Sequence, residues 1–419
     1  MDIPDISRRG FDDFTNREGS YSFSDLAAYT SARPYTYLGQ RGQGHVTFLE
    51  KTLAGIFEDS VRLKSNLSIS FGVRYYWQNY FHNVPYNFGP RIGFAYAPTS
   101  AGKTILRGGA GFFFDRSGPS PISDLLHFDG STLKRFIVNS PAYPITPAQL
   151  ESVPTSVVVL DPRQRIPYTI QYGIGVERQL NAKSSVFANY IGARGIDLFR
   201  SIDSNAPPPP NYLVRPNLNL GQERQIQSEG YLKSNSLEIG LRGSPVSFFN
   251  GQVRYNLGKT NTNTSGITYF PSNSYFPSAD WSRSDNDQRH RFDLLGVFKA
   301  KDWFSFGTAL SAYSGKPVNV TTGSDNYNNG MSNARPQGVP RNSLHGPGYL
   351  SLDLNATRDF ALSDSGQKGP VATISISSFN VLNRANDITY IGVIGSPFFG
   401  HAVAAQPPRR MQVTLQFKF

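Results

Sequence analysis

The sequence predicts an all-β protein that forms an antiparallel transmembrane β-barrel, and three observations lead to this prediction. Segments of strand length alternate apolar and polar residues along most of the 419-residue chain, which is the period of a strand with two unlike faces. Short turns alternate with long loops, as they do in transmembrane barrels. No apolar run approaches the roughly 18 residues of a transmembrane helix, whereas barrel strands need only alternate residues that face lipid.

The composition is consistent with this fold class and excludes several others. Aromatic residues make up 13% of the chain, with 30 Phe and 22 Tyr, and there are 39 Gly; this mixture suits β-structure with many turns and argues against disorder. The absence of cysteine excludes disulfides and thiolate metal sites. The net charge is +11, but Lys and Arg are scattered rather than clustered, so we expect no nucleic-acid partner.

Residues 1–45 are polar and rich in turn residues. A short apolar patch at Leu26–Tyr29 predicts a single helical turn. We expect residues 1–45 to be an N-terminal polar segment, the remnant of an upstream barrel or loop, and residues 46–419 to be the barrel domain. The first residues, MDIPDISRRGFDDF, contain no apolar signal-peptide core, so an exported protein with this sequence is expected to lack its natural start.

The first half of the barrel domain contains strand-like segments on both sides of a long loop. The predicted strands are His45–Arg62, Leu67–Trp77, Arg91–Ala97, Thr104–Phe114, Ile166–Arg178 and Ser184–Ala193. Residues 115–164 contain several prolines and little alternation, so we expect one long loop with some local structure. Residues 205–211, NAPPPPN, cannot form a strand because proline has no N–H to donate to a ladder.

The second half repeats this pattern of strands and loops. The predicted strands are Gln222–Tyr231, Lys233–Arg242, Ser247–Leu257, Arg289–Ala300, Trp303–Tyr313, Tyr349–Phe360 and Val371–Phe379. The loops between them are rich in Asn, Ser and Gly, and the long ones are Lys259–Asp280, Thr321–Gly346 and Asn383–Pro408. The total is about 12–14 strands, mostly joined as hairpins, with the long loops on the extracellular side of a membrane barrel.

The final segment, Arg410–Phe419, has the clearest alternation in the chain. Its apolar row is Met411, Val413, Leu415, Phe417 and Phe419. Ten residues at about 3.3 Å each, tilted by about 45°, are roughly what a membrane-spanning strand needs. A soluble β-sandwich could also end on such a strand, so the segment alone does not decide between the two.

The sequence contains no catalytic, cofactor or metal motif that would predict an enzyme. The six histidines are far apart and lack partners at ligand spacing: His45, His82, His127, His290, His345 and His401. Two Gly-Lys-Thr triplets, at 102–104 and 258–260, lack the leading glycine of a P-loop. Asp325–Gly330, DNYNNG, has one acid and no closing Glu, so a solvated turn is favoured over a calcium loop.

Several segments together resemble one family, the Oar-like TonB-dependent outer-membrane transporters of the acidobacterial type. The similar blocks, in chain order, are Ala54–Val73, Asn87–Ala97, Arg107–Arg116, Gln171–Arg200, Arg289–Phe292, Ser314–Val318, Asn333–Asn342, Gly346–Asp353, Phe379–Arg384, Gly395–Gly400 and Pro408–Phe419. Each block is weak by itself, and their order and spacing carry the resemblance. Within the first block, Glu58-Asp59 stands for the family's acidic pair, and Ser60-Val61 replaces its tryptophan region.

The resemblance implies the C-terminal β-barrel portion of a receptor that takes up an unidentified ligand across the outer membrane. Large transporters of this kind have about 22 strands around a plug, so the chain is expected to be a partial barrel that lacks the plug. The implied partners are outer-membrane lipid, the barrel-assembly machinery, which would read the strand ending at Phe419, and the TonB system through the plug alone.

Two other functions remain open at this stage. One is a passive porin or adhesin-like barrel, or a non-functional fragment of a transporter. The other is a soluble β-rich protein that binds or hydrolyses carbohydrate, which predicts carboxylate pairs in a cleft. Siderophores, oligosaccharides and peptides all remain candidate ligands of a transporter, because the long loops contain no recognisable binding motif.

Overall fold

A computed structural model describes residues 5–80, 87–99, 101–115, 118–300, 304–362 and 370–418. Strands dominate these residues, as the alternating segments predict. The elements in chain order are β1 (Asp5–Asp12), β2 (Ser20–Ser22), α1 (Leu26–Thr30), β3 (Thr36–Gly42), β4 (His45–Lys64), β5 (Leu67–Gln78), β6 (Phe88–Tyr96), β7 (Thr104–Phe114), α2 (Ser120–His127), β8 (Leu133–Asn139), α3 (Pro147–Glu151), β9 (Val157–Leu160), β10 (Tyr168–Asn181), β11 (Ser184–Asp203), β12 (Glu223–Val246), β13 (Phe249–Thr262), a 3₁₀ turn (Pro277–Asp280), β14 (Ser282–Arg283), β15 (His290–Ala300), β16 (Phe304–Tyr313), β17 (Pro317–Val318), β18 (Leu344–His345), β19 (Tyr349–Ala361), β20 (Val371–Phe379), β21 (Asp387–Tyr390), β22 (Ala402–Ala405) and β23 (Arg410–Lys418).

Fourteen of these strands lie side by side in one antiparallel sheet within the described residues, and we call this sheet the wall. Its order is β1-β4-β5-β6-β7-β10-β11-β12-β13-β15-β16-β19-β20-β23. The number agrees with the predicted 12–14 strands. No pairing joins β1 to β23 among the residues that the structure describes, so these two strands form the free edges of an open sheet.

The predicted strand bounds are mostly confirmed, with three corrections. The strand predicted at Ser184–Ala193 continues to Asp203. Residues 222–231 and 233–242 were expected to form two strands, but they belong to the single strand β12. The strand continues through Leu232, which pairs with both Gly195 and Thr262, and a β-bulge in the pairing with β11 lies next to this residue. Strands also begin earlier than residue 46, because β1 pairs with β4; the division of the chain at residue 45 remains a prediction.

Residues directly opposite each other on neighbouring strands share a face of the sheet. The alternating residues of the strands therefore combine into one apolar and one polar face of the wall. The apolar face carries large exposed side chains, such as Ile92 (61% exposed), Ile174 (58%) and Val413 (71%). The polar face carries ion pairs between strands. On this face, Glu177 of β10 accepts hydrogen bonds from Arg242 of β12 and, at 3.2 Å, from Arg107 of β7.

The connections between neighbouring wall strands differ at the two ends of the sheet. At one end they are short and span residues 65–66, 97–103, 182–183, 247–248, 301–303 and 362–370. At the other end they are mostly long, and we number them L1 (13–44), L2 (79–87), L3 (115–167), L4 (204–222), L5 (263–289), L6 (314–348) and L7 (380–409). The predicted alternation of short turns and long loops is therefore present along the wall except at L2, which has the same length as the connection 362–370.

Helices are few and lie outside the wall. The helix α1 is the turn predicted near Leu26–Tyr29, and the Asp25 carboxylate caps it by accepting a hydrogen bond from the Ala28 N–H at 2.7 Å. Both α2 and α3 lie in L3, which was expected to be a loop with some local structure. None of the helices in the described ranges is long and apolar enough to cross a membrane.

Candidate functional site

The long connections contact one another and form a second structural region, which we call the loop layer. L1 and L3 share a small sheet in which β3 pairs with both β2 and β8. The buried His127 side chain of α2 lies with its Nε2 3.0 Å from the Gly44 carbonyl oxygen, between L3 and the end of L1. The sequence gives no sign of these contacts, because β8 and β3 are short and far apart along the chain.

Two apolar clusters stabilise the loop layer. In the first, Phe128 and Leu133 of L3 pack with Phe199 and Ile226, which extend from β11 and β12. The second is centred on Tyr37, Phe136 and Leu150, with Tyr21 packed beside it. The loop layer therefore has a hydrophobic core of its own, whereas the wall exposes its apolar side chains.

L4 and L6 are joined by hydrogen bonds and by an aromatic contact. The Asn328 side-chain amide donates to the Tyr212 carbonyl oxygen at 2.7 Å, and the Gln222 amide donates to the Asn329 carbonyl oxygen at 3.1 Å. The rings of Tyr212 and Tyr327 meet edge to face with centroids 4.9 Å apart. These contacts hold the proline-rich L4 against L6.

A buried ionic network joins L5 to L6. Asp280 is fully buried and accepts hydrogen bonds from the Tyr269 hydroxyl and the Arg335 guanidinium. Burial raises the pKa of Tyr269, and the neighbouring Asp280 charge raises it further. Tyr269 therefore stays protonated and acts as a hydrogen-bond donor.

A second ion pair lies next to this network. Arg341 donates to Asp285 at 2.8 Å, and the Asn342 amide donates to the same carboxylate at 2.6 Å. Burial by itself would raise the pKa of Asp285. Hydrogen bonds from Ser265 and Asn342 and the charge of Arg341 outweigh burial, so the pKa lies below its ordinary value.

A cavity of about 740 Å³ lies where the ends of β15, β16 and β19 meet L5, L6 and L7. Arg291, Tyr313 and Tyr349 stand directly opposite one another on these three strands. The Arg291 guanidinium carbon lies 4.6 Å from the centre of the Tyr313 ring. The Tyr313 and Tyr349 rings are stacked, with centroids 5.3 Å apart and planes 17° apart.

The cavity is also lined by polar residues from L5, L6 and L7. These residues include Asp285 and Asn286 of L5, Lys316 and Asn319 of L6, and Asp387, Tyr390 and Gln406 of L7. The Tyr390 hydroxyl oxygen is buried without a hydrogen-bond partner in the described part of the chain. Burial, together with the Asp387 charge, raises the pKa of Tyr390.

The terminal apolar row predicted from sequence lies on β23, at a free edge of the wall. Met411, Val413, Leu415 and Phe417 are exposed on the apolar face, and β23 pairs on its other side with β20 from Arg410 to Lys418. Phe419 lies outside the described residues. The structure thus places the described part of this row together on one face.

The calcium-like segment forms a turn. The Asp325 carboxylate accepts hydrogen bonds from the backbone N–H groups of Asn329 and Gly330, and from the side chain of Asn139. Over the described ranges, no group of three or more His, Cys, Asp or Glu side chains is placed to hold a metal ion.

Comparison with protein families decides what kind of sheet this is. Residues 78–340 match the family model described as the outer membrane beta barrel domain. The chain belongs to this outer-membrane β-barrel family. Its location is therefore the outer membrane, and the apolar face of the wall is the surface that meets lipid. Proteins of this kind are barrels and transporters that are typically not enzymes.

Solved structures with the same fold are outer-membrane receptors and transporters. The outer-membrane transporter YddB from Escherichia coli matches at a TM-score of 0.61 with 13% identity, over 91% of this chain and 46% of its own. A mutant of the ferric enterobactin receptor PfeA from Pseudomonas aeruginosa matches at 0.60 with 12% identity, over 99% and 50%. The ferric-catecholate import receptor Fiu from E. coli matches at 0.51 with 10% identity, over 89% and 45%. At these identities the matches show the fold alone.

The chain spans about half the length of these receptors. Its open sheet is therefore similar to about half of a receptor barrel. No curated protein sequence matches the chain.

Aromatic side chains of the barrel gather at the loop end of the lipid-facing surface. Tyr75 and Phe88 lie on neighbouring strands with ring centroids 4.9 Å apart, and Phe114 and Tyr168 lie 5.3 Å apart. All four residues lie near strand ends that lead into L2 or L3. Aromatic rings at this level are typical of the boundary between lipid and water.

Proposed function

We propose that the chain is the C-terminal barrel portion of a TonB-dependent receptor, and that its loop layer recognises a ligand for uptake across the outer membrane. The observation that carries the proposal is the wall. It matches a receptor barrel over 99% of the chain, and its long connections all lie at the same end of the sheet. In bacterial barrels the longer loops lie on the extracellular side, where they meet ligand first.

The free edges of the wall support the view that this portion acts within a larger barrel. In lipid, each unpaired backbone N–H or C=O group costs several kcal/mol, and both β1 and β23 have one unpaired side. We propose that upstream strands pair with β1 and close onto β23. Energised uptake would then require a plug that contacts TonB.

Planar-bilayer conductance of the complete gene product tests the receptor function without knowledge of the ligand. A plugged receptor should give no stable open channel. A stable open channel would instead identify a passive porin and would refute the receptor proposal.

Single-cysteine labelling on intact cells tests the orientation. Because the chain has no cysteine, Ser324→Cys in L6 and Ser65→Cys in the turn between β4 and β5 each introduce one thiol, and both positions are exposed. A membrane-impermeant maleimide should label the cysteine at 324 and leave the one at 65 unlabelled. The reverse pattern would overturn the assignment of the loop layer to the cell exterior.

We further propose that the barrel-assembly machinery reads the terminal row of Met411, Val413, Leu415, Phe417 and Phe419. Phe419→Ser in the complete product should reduce the amount of folded protein in the outer membrane. Lys418→Ser, on the polar row, is the matched control and should have little effect. Normal assembly of the Phe419→Ser protein would contradict this role.

A further inference from the structure

The cavity between L5, L6 and L7 has the dimensions of a ligand site. Its volume of about 740 Å³ lies inside the roughly 300–1,000 Å³ range of small-molecule pockets. Residues of three wall strands line it, so part of the site lies on rigid elements, and the ionic networks of L5 and L6 lie beside it.

The charges that line the cavity nearly cancel. Among its described residues there are two cations, Arg291 and Lys316, and two carboxylates, Asp285 and Asp387. Asp285 is paired with Arg341, which is outside the lining, so the two cations of the lining exceed its unpaired carboxylate by one charge. A strongly anionic ligand such as a ferric catecholate would need a surplus of several cations here, because uncompensated charges that face each other are costly. The lining therefore favours a neutral ligand.

The uncharged groups suit a ligand rich in hydroxyls. The side-chain amides of Asn286, Asn319 and Gln406 each contain a donor and an acceptor. The oxygens of Asn286 and Asn319 already accept hydrogen bonds, from Lys316 and from a backbone N–H, so these two amides offer a ligand mainly their N–H donors, whereas Gln406 can donate to a hydroxyl or accept from it. The buried Tyr390 hydroxyl has no protein partner among the residues described, and a buried polar group of this kind is stabilised when a ligand supplies the missing bond.

The stacked tyrosines add an apolar surface to this polar lining. Tyr349 stacks on Tyr313, which is itself held by a hydrogen bond from its hydroxyl to Asp293 at 2.5 Å and by the Arg291 guanidinium on the ring. Aromatic rings are rigid and bury a large area, and the C–H faces of pyranose sugars pack against such rings. Rings and amides side by side match the alternating apolar faces and hydroxyl edges of a sugar.

We propose that this cavity binds a neutral oligosaccharide of a few sugar units. The proposal rests on the proposed function, in that it names the class of ligand that the loop layer recognises. Stacking on Tyr349 and hydrogen bonds to Asp387, Gln406 and Tyr390 hold the sugar.

Equilibrium binding to outer-membrane vesicles that contain the complete gene product tests the proposal. The probes are labelled maltotriose, cellotriose, xylotriose and chitotriose, and ferric enterobactin serves as the anionic comparison. At least one trisaccharide should bind saturably, and vesicles without the protein should not bind it. Saturable binding of ferric enterobactin alone, or of none of the four trisaccharides, would overturn the proposal.

Matched variants locate the binding in this cavity. Tyr349→Ala should weaken trisaccharide binding about tenfold through loss of the stacked ring, whereas Tyr349→Phe keeps the ring and should bind like the parent protein. Equal affinity in Tyr349→Ala and the parent would also overturn the proposal. The conductance and labelling experiments are independent of the ligand, so the receptor function can stand when the oligosaccharide proposal fails.

Discussion

The wall and the loop layer differ in what they bury. In the wall the apolar side chains lie outside, with Ile92 61% and Val413 71% exposed. The loop layer buries apolar clusters and also polar side chains, with Asp280 at 0% and Asn329 at 1% exposed. The wall therefore depends on lipid to cover its surface, whereas the loop layer depends on its own core and on the pairing of its buried polar groups.

This difference means that each region is vulnerable to a different change. The wall should fail when its outer face becomes charged, because no partner exists in the hydrocarbon for that charge. The loop layer should fail when one member of a buried pair is removed, because the other is left unpaired. Variants that separate these two failures test whether the regions are stabilised independently.

The largest effect is expected from Asp280→Ala in the loop layer. The change leaves the Arg335 guanidinium, with only 8% of its side chain exposed, and the Tyr269 hydroxyl without their carboxylate. Removal of one partner from a buried pair costs about 3–5 kcal/mol. L5 and L6 should therefore open locally, and trypsin should cleave them about a hundredfold faster or more.

Asp12→Ala is the control for Asp280→Ala. Asp12 pairs with His45, but both side chains are about half exposed, and an exposed pair contributes about 0–1 kcal/mol. Its cleavage rate should stay near that of the parent protein. If Asp280→Ala resists trypsin as well as Asp12→Ala does, the buried pair does not hold the loop layer together.

The next effect is expected from Ile174→Arg in the wall. Ile174 lies in the middle of β10 on the lipid-facing surface, and an arginine near the bilayer midplane costs about 2–4 kcal/mol in a transmembrane barrel. The fraction of protein that migrates as folded barrel on unheated gels should fall. Trypsin cleavage of the loops in the molecules that do assemble should be unchanged.

Gln171→Arg is the matched control on the same strand. Gln171 lies on the polar face, opposite Gly111 and Ala193, so the new charge does not meet lipid. Folded protein should reach the parent level. An equal loss in both variants would mean that the two faces of the wall are not distinguished by lipid.

The wall could be predicted from the sequence because its two faces alternate at every second residue. Thr104–Phe114 and Val371–Phe379 have the predicted bounds. The strand β1 was missed because its two large apolar residues, Ile6 and Phe11, are five positions apart and so fall on opposite faces. Without a repeated apolar row, only its pairing with β4 makes it a strand.

The loop layer could not be predicted in the same way, because its stabilising contacts join residues far apart in sequence. Arg335 lies 55 positions from Asp280, and Arg341 lies 56 positions from Asp285. No local sequence pattern predicts such pairs. The cavity depends on the same long-range contacts: Tyr313 and Tyr349 become neighbours only because β16 pairs with β19 across the whole of L6.

The smallest effect is expected from acid, and we expect it mainly in the loop layer. The pKa of Asp285 is lowered from its ordinary value of 3.8, so its ionised form stabilises the folded loops. That stabilisation is complete above pH 3.8 and is lost as the pH falls through the lower folded value. Trp281 lies four residues before Asp285 in L5, with its ring 5.4 Å from the Tyr231 ring, so its fluorescence should report the loosening.

Asp285→Asn separates this titration from a general effect of acid. The variant has no carboxylate to protonate at this position, and Arg341, with 2% of its side chain exposed, loses its ionic partner at every pH. At neutral pH the Trp281 fluorescence of the variant should therefore already be closer to that of the acid-loosened parent protein, and it should change less on acidification. The folded fraction on unheated gels should stay constant in both proteins, because the arginine partners of Glu177 on the polar face are more than half exposed and such pairs contribute only about 0–1 kcal/mol each. An acid step of unchanged size in Asp285→Asn would show that other groups control the loosening. Loss of the folded fraction over the same pH range would show that the two regions are coupled.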